Sequence, residues 1–197
     1  AETLREVGMI INSTTESSQV LDLILEQLKR VIDYDSAAVE IIHGDELIIQ
    51  AVAGVDHPED VLGKTFLLEE DQFVHAVLYD GEIVVRKDVT QFNGWDVVPG
   101  TENVHSWIGV PLKTKERIIG LLTVDHSEIG FYRQEDAQLV SSFAHQAAIA
   151  LENARLFEQA THRLARLEAL RSVDMAINSS LDVEISLNVL LDALMEQ

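Results

Sequence analysis

From Gln134 to Gln197 the chain contains neither glycine nor proline, the two residues that most readily end or kink a helix. Apolar Leu139, Val140, Phe143, Ala147, Ala150, Leu151, Ala154 and Phe157 recur in this stretch at spacings that let one helical face be buried. The reading is a helix that starts near Gln134 and runs towards Ile177, longer than one domain can cover. Its apolar positions continue as Phe157, Ala160, Leu164, Leu167, Leu170, Val173 and Ile177. Such a stripe is costly to leave in water, so it predicts a coiled-coil seam closed by a second copy of the chain, joined by an N-terminal helix from Leu4 to Ile11.

A second constraint is an internal repeat. The segment from Leu4 to Leu28 aligns without gaps to that from Leu170 to Leu194, with about ten identical positions. Leu4, Arg5, Val7, Met9, Ile11, Asn12 and Ser13 recur as Leu170, Arg171, Val173, Met175, Ile177, Asn178 and Ser179. The expected organisation is a domain over 1–157, a connecting helix over 158–178 and the truncated start of a second domain over 179–197. Leu187, Leu190, Leu191 and Leu194 then occupy the places of Leu21, Ile24, Leu25 and Leu28.

Between these landmarks the pattern changes to that of a sheet. A polar break at Ser13 to Ser18 precedes an amphipathic helix from Val20 to about Ile32. Two β-rich runs, Ser36 to Ile42 and Glu46 to Ala53, flank the turn His43-Gly44-Asp45, and a second pair, Ser106 to Leu112 and Arg117 to Asp125, flanks the tip Lys113 to Glu116. The run Ile118 to Val124 is apolar on both faces, as a central strand requires. The middle reads as a short helix from Asp71 to Tyr79, a short strand from Ile83 to Val85 and a long loop from Gln91 to Val104.

Charge and cysteine content narrow the function. With 14 basic against 34 acidic residues the net charge is −20, which repels a phosphate backbone, so nucleic acid is not an expected partner. The sequence has no cysteine. Thiolate metal sites, iron–sulfur clusters, thioether-linked bilins and cysteine nucleophiles are thereby removed. Seven histidines are present without an HxH or HExxH spacing, so no metal site is expected. No stretch reaches the ~20 apolar residues of a membrane span and no charged-then-apolar leader opens the sequence; the expectation is a soluble, cytoplasmic protein.

The segment Ser106 to Ala160 carries a V-P-L strand, a basic hairpin tip, I-x-G-x-L, F-x-x-x-D and A-x-Q-x-A-x-A-x-x-N-A-x-L. It resembles the end of GAF domains, and YDGEIVVRKDVT at Tyr79 to Thr90 is similar to the family's T-G-x-P-x-x-x-x-D-V strand. The resemblance spans about Val7 to Phe157. It implies an α+β, GAF/PAS-like fold: a five- to six-stranded antiparallel sheet with helices on one side and a long C-terminal coiled-coil signalling helix. It also implies a regulatory module that senses an unknown small molecule and passes the signal to a downstream output domain in the same polypeptide. Two departures matter. Leu67 to Phe73 reads LLEEDQF where many relatives have a glycine-rich turn, and the cyclic-nucleotide signature N-K-x(n)-F-x-x-x-D-E is absent, so cyclic nucleotide is unsupported.

In this family the pocket lies between the sheet and the irregular middle, which makes Phe66, Phe73, Asp88, Trp95, His105 and Trp107 the pocket candidates. On an extended strand His105, Trp107 and Gly109 share a face, aiming an imidazole and an indole one way. The alternative for these two is an indole in the core and an exposed histidine. His75 and His105 are the positions best placed for a haem ligand, which nothing else supports. Asp125 and His126, adjacent on a strand, point to opposite faces and imply no catalytic dyad. Glu69, Glu70 and Asp71 suit the first turn of a helix. No catalytic residue is expected: the related methionine sulfoxide reductases need cysteine, and a ligand-free dimerisation or spacer module is the remaining alternative.

Overall fold

A computed structural model describes residues 18–68, 74–92, 95 and 100–195; side chains of residue 174 and of residues 176–195 are outside the description. The expected N-terminal helix, Phe73, the acidic run Glu69 to Asp71 and the side chain of Ile177 therefore lie outside the described residues.

Six strands form one antiparallel sheet: β1 (Ser36–His43), β2 (Glu46–Ala53), β3 (Thr65–Leu67), β4 (Val84–Arg86), β5 (Ser106–Lys113) and β6 (Ile118–His126), in the order β3-β2-β1-β6-β5-β4. Both expected hairpins are present. His43 pairs with Glu46 across a two-residue turn in which Gly44 takes φ 65°, a left-handed conformation that favours glycine. The apolar run read as central is β6, hydrogen-bonded to β1 on one side and β5 on the other. β3 was not anticipated, because three residues at a sheet edge carry no periodic signal.

Strand alternation divides the core into two layers. On one face Ala37, Val39, Ala51, Ile108, Val110, Leu112, Leu122 and Val124 pack under a helix over residues 18–29 (α1) and the first part of a helix over Gln134–Met195 (α3). Leu21, Leu25 and Leu28 of α1 are fully buried there, each contributing about 2 kcal/mol relative to exposure. Ala137, Val140, Ala144, Ala147 and Ala148 are the buried face of α3, and small side chains at four of these five positions allow close approach to the sheet. This is the one-sided layer of long helices implied by the resemblance. The other face packs on a second cluster that includes Val77 and Leu78 from a one-turn helix, His75–Leu78 (α2), together with Val84, Val89, Val104, Trp107 and Leu121. α2 falls within the expected Asp71 to Tyr79 span.

α3 starts where its sequence provides a cap. The Arg133 N–H donates to the Asp136 carboxylate at 2.7 Å, and Glu135 and Asp136 place negative charge in the first turn, where the helix dipole favours it. The chain divides into two compact units, Ala1–Ala154 and Arg155–Gln197. In the second unit Phe157, Leu164, Leu167, Leu170, Val173 and Met175 are all more than half exposed, and Ala160 is exposed with them. Among the described residues no helix is long and apolar enough to cross a membrane.

Candidate functional site

The sheet face under α2 carries an unusual row of polar and aromatic side chains. Ile108, Val110 and Leu112 point into the α1/α3 layer, so Trp107 and Gly109 point the other way. The register then aligns four neighbouring strands: Arg86 opposite Trp107, Trp107 opposite Asp125, and Asp125 opposite Ser36. Directly paired residues lie on one face, so Arg86, Trp107, Asp125 and Ser36 form a single row across β4, β5, β6 and β1. Thr123, opposite Gly109 on β5 and Ala38 on β1, stands one step behind.

Trp107 fills the centre of this floor. Its side chain is buried, its ring meets Trp95 edge-on at 6.4 Å and 77°, and it lies over Gly109, where an added Cβ would be 2.0 Å from Cη2. Glycine is therefore the seat of the indole. Immediately before β5, His105 Nδ1 is 3.3 Å from the Asp88 carboxylate. Asp88 also accepts from the Thr90 N–H and hydroxyl and from the Gln91 amide, capping the 3-10 turn Val89–Gln91. These donors, Thr90 first and then His105, hold its carboxyl down at about 2. Asp88 is thus a fixed anion that orients His105, whose side chain stays about one-third exposed. The Arg86 guanidinium sits over the Phe92 ring at 4.6 Å.

Asp125 is the unexpected member. Its Oδ2 accepts from the Ser36 hydroxyl at 2.7 Å, whereas its Oδ1 is shielded from solvent and has no hydrogen-bond partner among the described residues. Burial pushes the carboxyl up to about 7; the Ser36 hydrogen bond opposes this rise and the nearby Asp35 charge adds to it. The backbone of the same residue is tied to the helix layer. The Asp125 carbonyl accepts from the Asp35 N–H at 2.8 Å and from the Tyr132 hydroxyl at 3.1 Å. Tyr132, buried two residues before α3, also reaches the Asp33 carbonyl at 3.2 Å, and its N–H donates to the Ser106 hydroxyl. The floor and the root of α3 therefore share one hydrogen-bonded junction.

Of the sequence candidates, His105 pairs with Asp88 and Trp107 meets Trp95, and Phe66, half-buried, packs on the Trp107 cluster from β3. His75 does not: it is exposed, stacked on Tyr79 at 4.5 Å. His126 points away from Asp125 as alternation requires, stacking on Phe131 at 3.6 Å while its Nδ1 accepts the Glu128 N–H. Arg86, Ser36, Thr123 and Asp125 join the floor through strand register, which local sequence does not display. The signal for Asp125 was visible as a lone acid ending an apolar strand. Among the described residues no group of three His, Cys, Asp or Glu could hold a metal ion.

A sheet of this order, helices on one face and a covered polar floor on the other define an α+β module. The GAF domain model matches residues 16–151, and the chain belongs to that family. An anaerobic nitric oxide reductase transcription regulator from Enterobacter sp. (strain 638) is 29% identical over 165 residues, covering 80% of this chain and 32% of the relative. The chain thus spans about a third of that regulator's length. Among solved structures, the GAF domain of a phosphoenolpyruvate-protein phosphotransferase from Coxiella burnetii superposes with TM-score 0.64 at 20% identity, covering 79% of this chain and 94% of that one. A type II free methionine-R-sulfoxide reductase from Thermoplasma acidophilum superposes with TM-score 0.60 at 19% identity, covering 72% and 96%. At these identities the likeness is one of fold.

Proposed function

We propose that this chain is a regulatory, non-enzymatic module that senses a small molecule on the Arg86–Trp107–Asp125–Ser36 floor and passes occupancy to α3. The observation that carries the reading is the Tyr132 junction, which joins the backbone of a floor residue to the root of that helix. A ligand that shifts Asp125 or Trp107 alters the bonds that set where α3 leaves the sheet, and so has a route to a downstream output domain. The transcription regulators that match the chain over a third of their length support such an output. The absence of cysteine argues against sulfoxide reductase chemistry, despite the shared fold.

The module works as a homodimer. The exposed apolar stripe from Phe157 to Val173 is satisfied when a second α3 covers it, at coiled-coil spacing. Native mass spectrometry of protein purified without added ligand tests the sensing role, with a co-purified small molecule as the expected result. A ligand-free chain that also binds no small molecule would leave a dimerisation or spacer role instead. Sedimentation of a chain cut after Phe157 tests the seam: monomer is expected, and a persisting dimer refutes it.

A further inference from the structure

The buried carboxyl of Asp125 presents a chemical problem that the described side chains do not solve. One oxygen is hydrogen-bonded to Ser36 and the other, on the covered face of the sheet, has no partner among the described residues. Ionised, it is a buried anion without a counter-ion, which is strongly unfavourable. Protonated, it places an O–H or a lone-pair oxygen where no described group receives it. The groups around it make the deficit worse. Asp35 and Asp33 flank the same junction, and both are committed, Asp35 to the Ser127 N–H at 2.6 Å and Asp33 to Lys29 at 2.9 Å. The possible cations of the floor are directed elsewhere: Arg86 lies two strands away over Phe92, and His105 faces Asp88.

We propose that the floor takes a small organic ligand carrying a cationic N–H group, and that Asp125 Oδ1 is the acceptor that selects it. The proposal rests on the sensing reading above and names its ligand class. A cationic N–H supplies both missing things at once, a donor for Oδ1 and a counter-charge in a region of low polarity. The apolar part of such a ligand has an indole to lie against, because Trp107 is directly opposite Asp125 and meets Trp95 edge-on. The net charge of −20 draws cations towards the protein and disfavours anions. A metal ion meets these needs less well, since it wants several oxygen ligands and no three-residue group for one exists among the described residues.

Benzylammonium and its neutral isostere benzyl alcohol are suitable probes, titrated into the full chain by isothermal calorimetry with indole fluorescence as a second signal. The ammonium is expected to bind about tenfold or more tightly than the alcohol, and Asp125→Asn to abolish that preference, in keeping with loss of a charge-assisted hydrogen bond. Because the carboxyl is pushed up to about 7, the ammonium must displace its proton. Wild-type protein titrated in two buffers of different ionisation enthalpy should release close to one proton per probe near pH 6 and almost none near pH 8, where the carboxyl is already ionised and the probe is still an ammonium; this arm stands even if the variant fails to fold. Equal affinity for the two probes, an unchanged preference in Asp125→Asn, or no proton release near pH 6 overturns the inference. A co-purified ligand without a basic nitrogen also overturns it and leaves the sensing reading intact. Absence of any ligand, with neither probe bound, overturns both.

Discussion

Gly120 offers the sharpest test of how the two central strands are packed. It pairs with Ile41 of β1 and Leu112 of β5, and a Cβ added there would be 1.9 Å from the Glu40 carbonyl oxygen and 3.0 Å from its carbon. Ordinary contact needs about 3.4 Å or more, so β1 and β6 must separate by about 1.5 Å. The obstacle is backbone held by ladders to β2 and β6, not a side chain that can swing away. Gly120→Ala should therefore fall at the upper end of overpacking, about 3 kcal/mol. For a chain of this size that lowers Tm by roughly 6–12 °C, read by far-UV circular dichroism. Gly44→Ala is the control, because its surroundings are open and only its φ of 65° opposes a side chain. It should cost about 1 kcal/mol, or roughly 2–4 °C. A Gly120→Ala melting temperature within 2 °C of wild type, or above that of Gly44→Ala, would refute the packing argument.

Asp125 should make stability fall as pH rises. Its folded carboxyl titrates near 7 rather than near 3.8, so its contribution is fully present below about pH 4 and is lost between about 4 and 7, by up to about 4 kcal/mol. Asp125→Asn should flatten denaturant-measured stability across that window, and an unchanged slope would count against the burial of this carboxyl. Gly109→Ala should push the Trp107 ring off its seat, changing near-ultraviolet dichroism while far-ultraviolet signal is retained; an unaltered aromatic spectrum would show that the indole lies elsewhere. Tyr132→Phe removes the hydroxyl from the Asp33 and Asp125 carbonyls, an expected loss of about 1–2 kcal/mol, with faster amide exchange in the first turns of α3. Exchange unchanged there would detach the junction from the helix.

The parts of this architecture that were legible in the sequence are those with a period. Two hairpins, the central strand, α1 and α3 are each long enough for alternation or a helical stripe to accumulate. What stayed hidden depends on register between strands distant in sequence. Nothing in the local pattern says that Asp125 lies between Trp107 and Ser36, which are 18 and 89 positions away from it. The pairing of His105 with Asp88 is of the same kind, since both residues were singled out but their contact was not. His126 is the last residue of β6. Its stacking on Phe131 and its hydrogen bond with Glu128 give His126→Ala a real, though smaller, effect than a substitution at Gly120.

The Tyr132 junction also fixes how the domain bears mechanical load. Ser36 begins β1 and pairs with Asp125, one residue from the end of β6, so chain enters and leaves the central ladder at the same end. Tension applied between the segment preceding β1 and the segment following β6 acts across the antiparallel hydrogen bonds one pair at a time rather than along all of them together. The first connections to be stretched are the Asp35 N–H to the Asp125 carbonyl and the tyrosine hydroxyl that spans Asp33 and Asp125. The sheet is thereby built to peel from its signalling corner, with the far hairpin turns the last part of β1 and β6 to feel the pull.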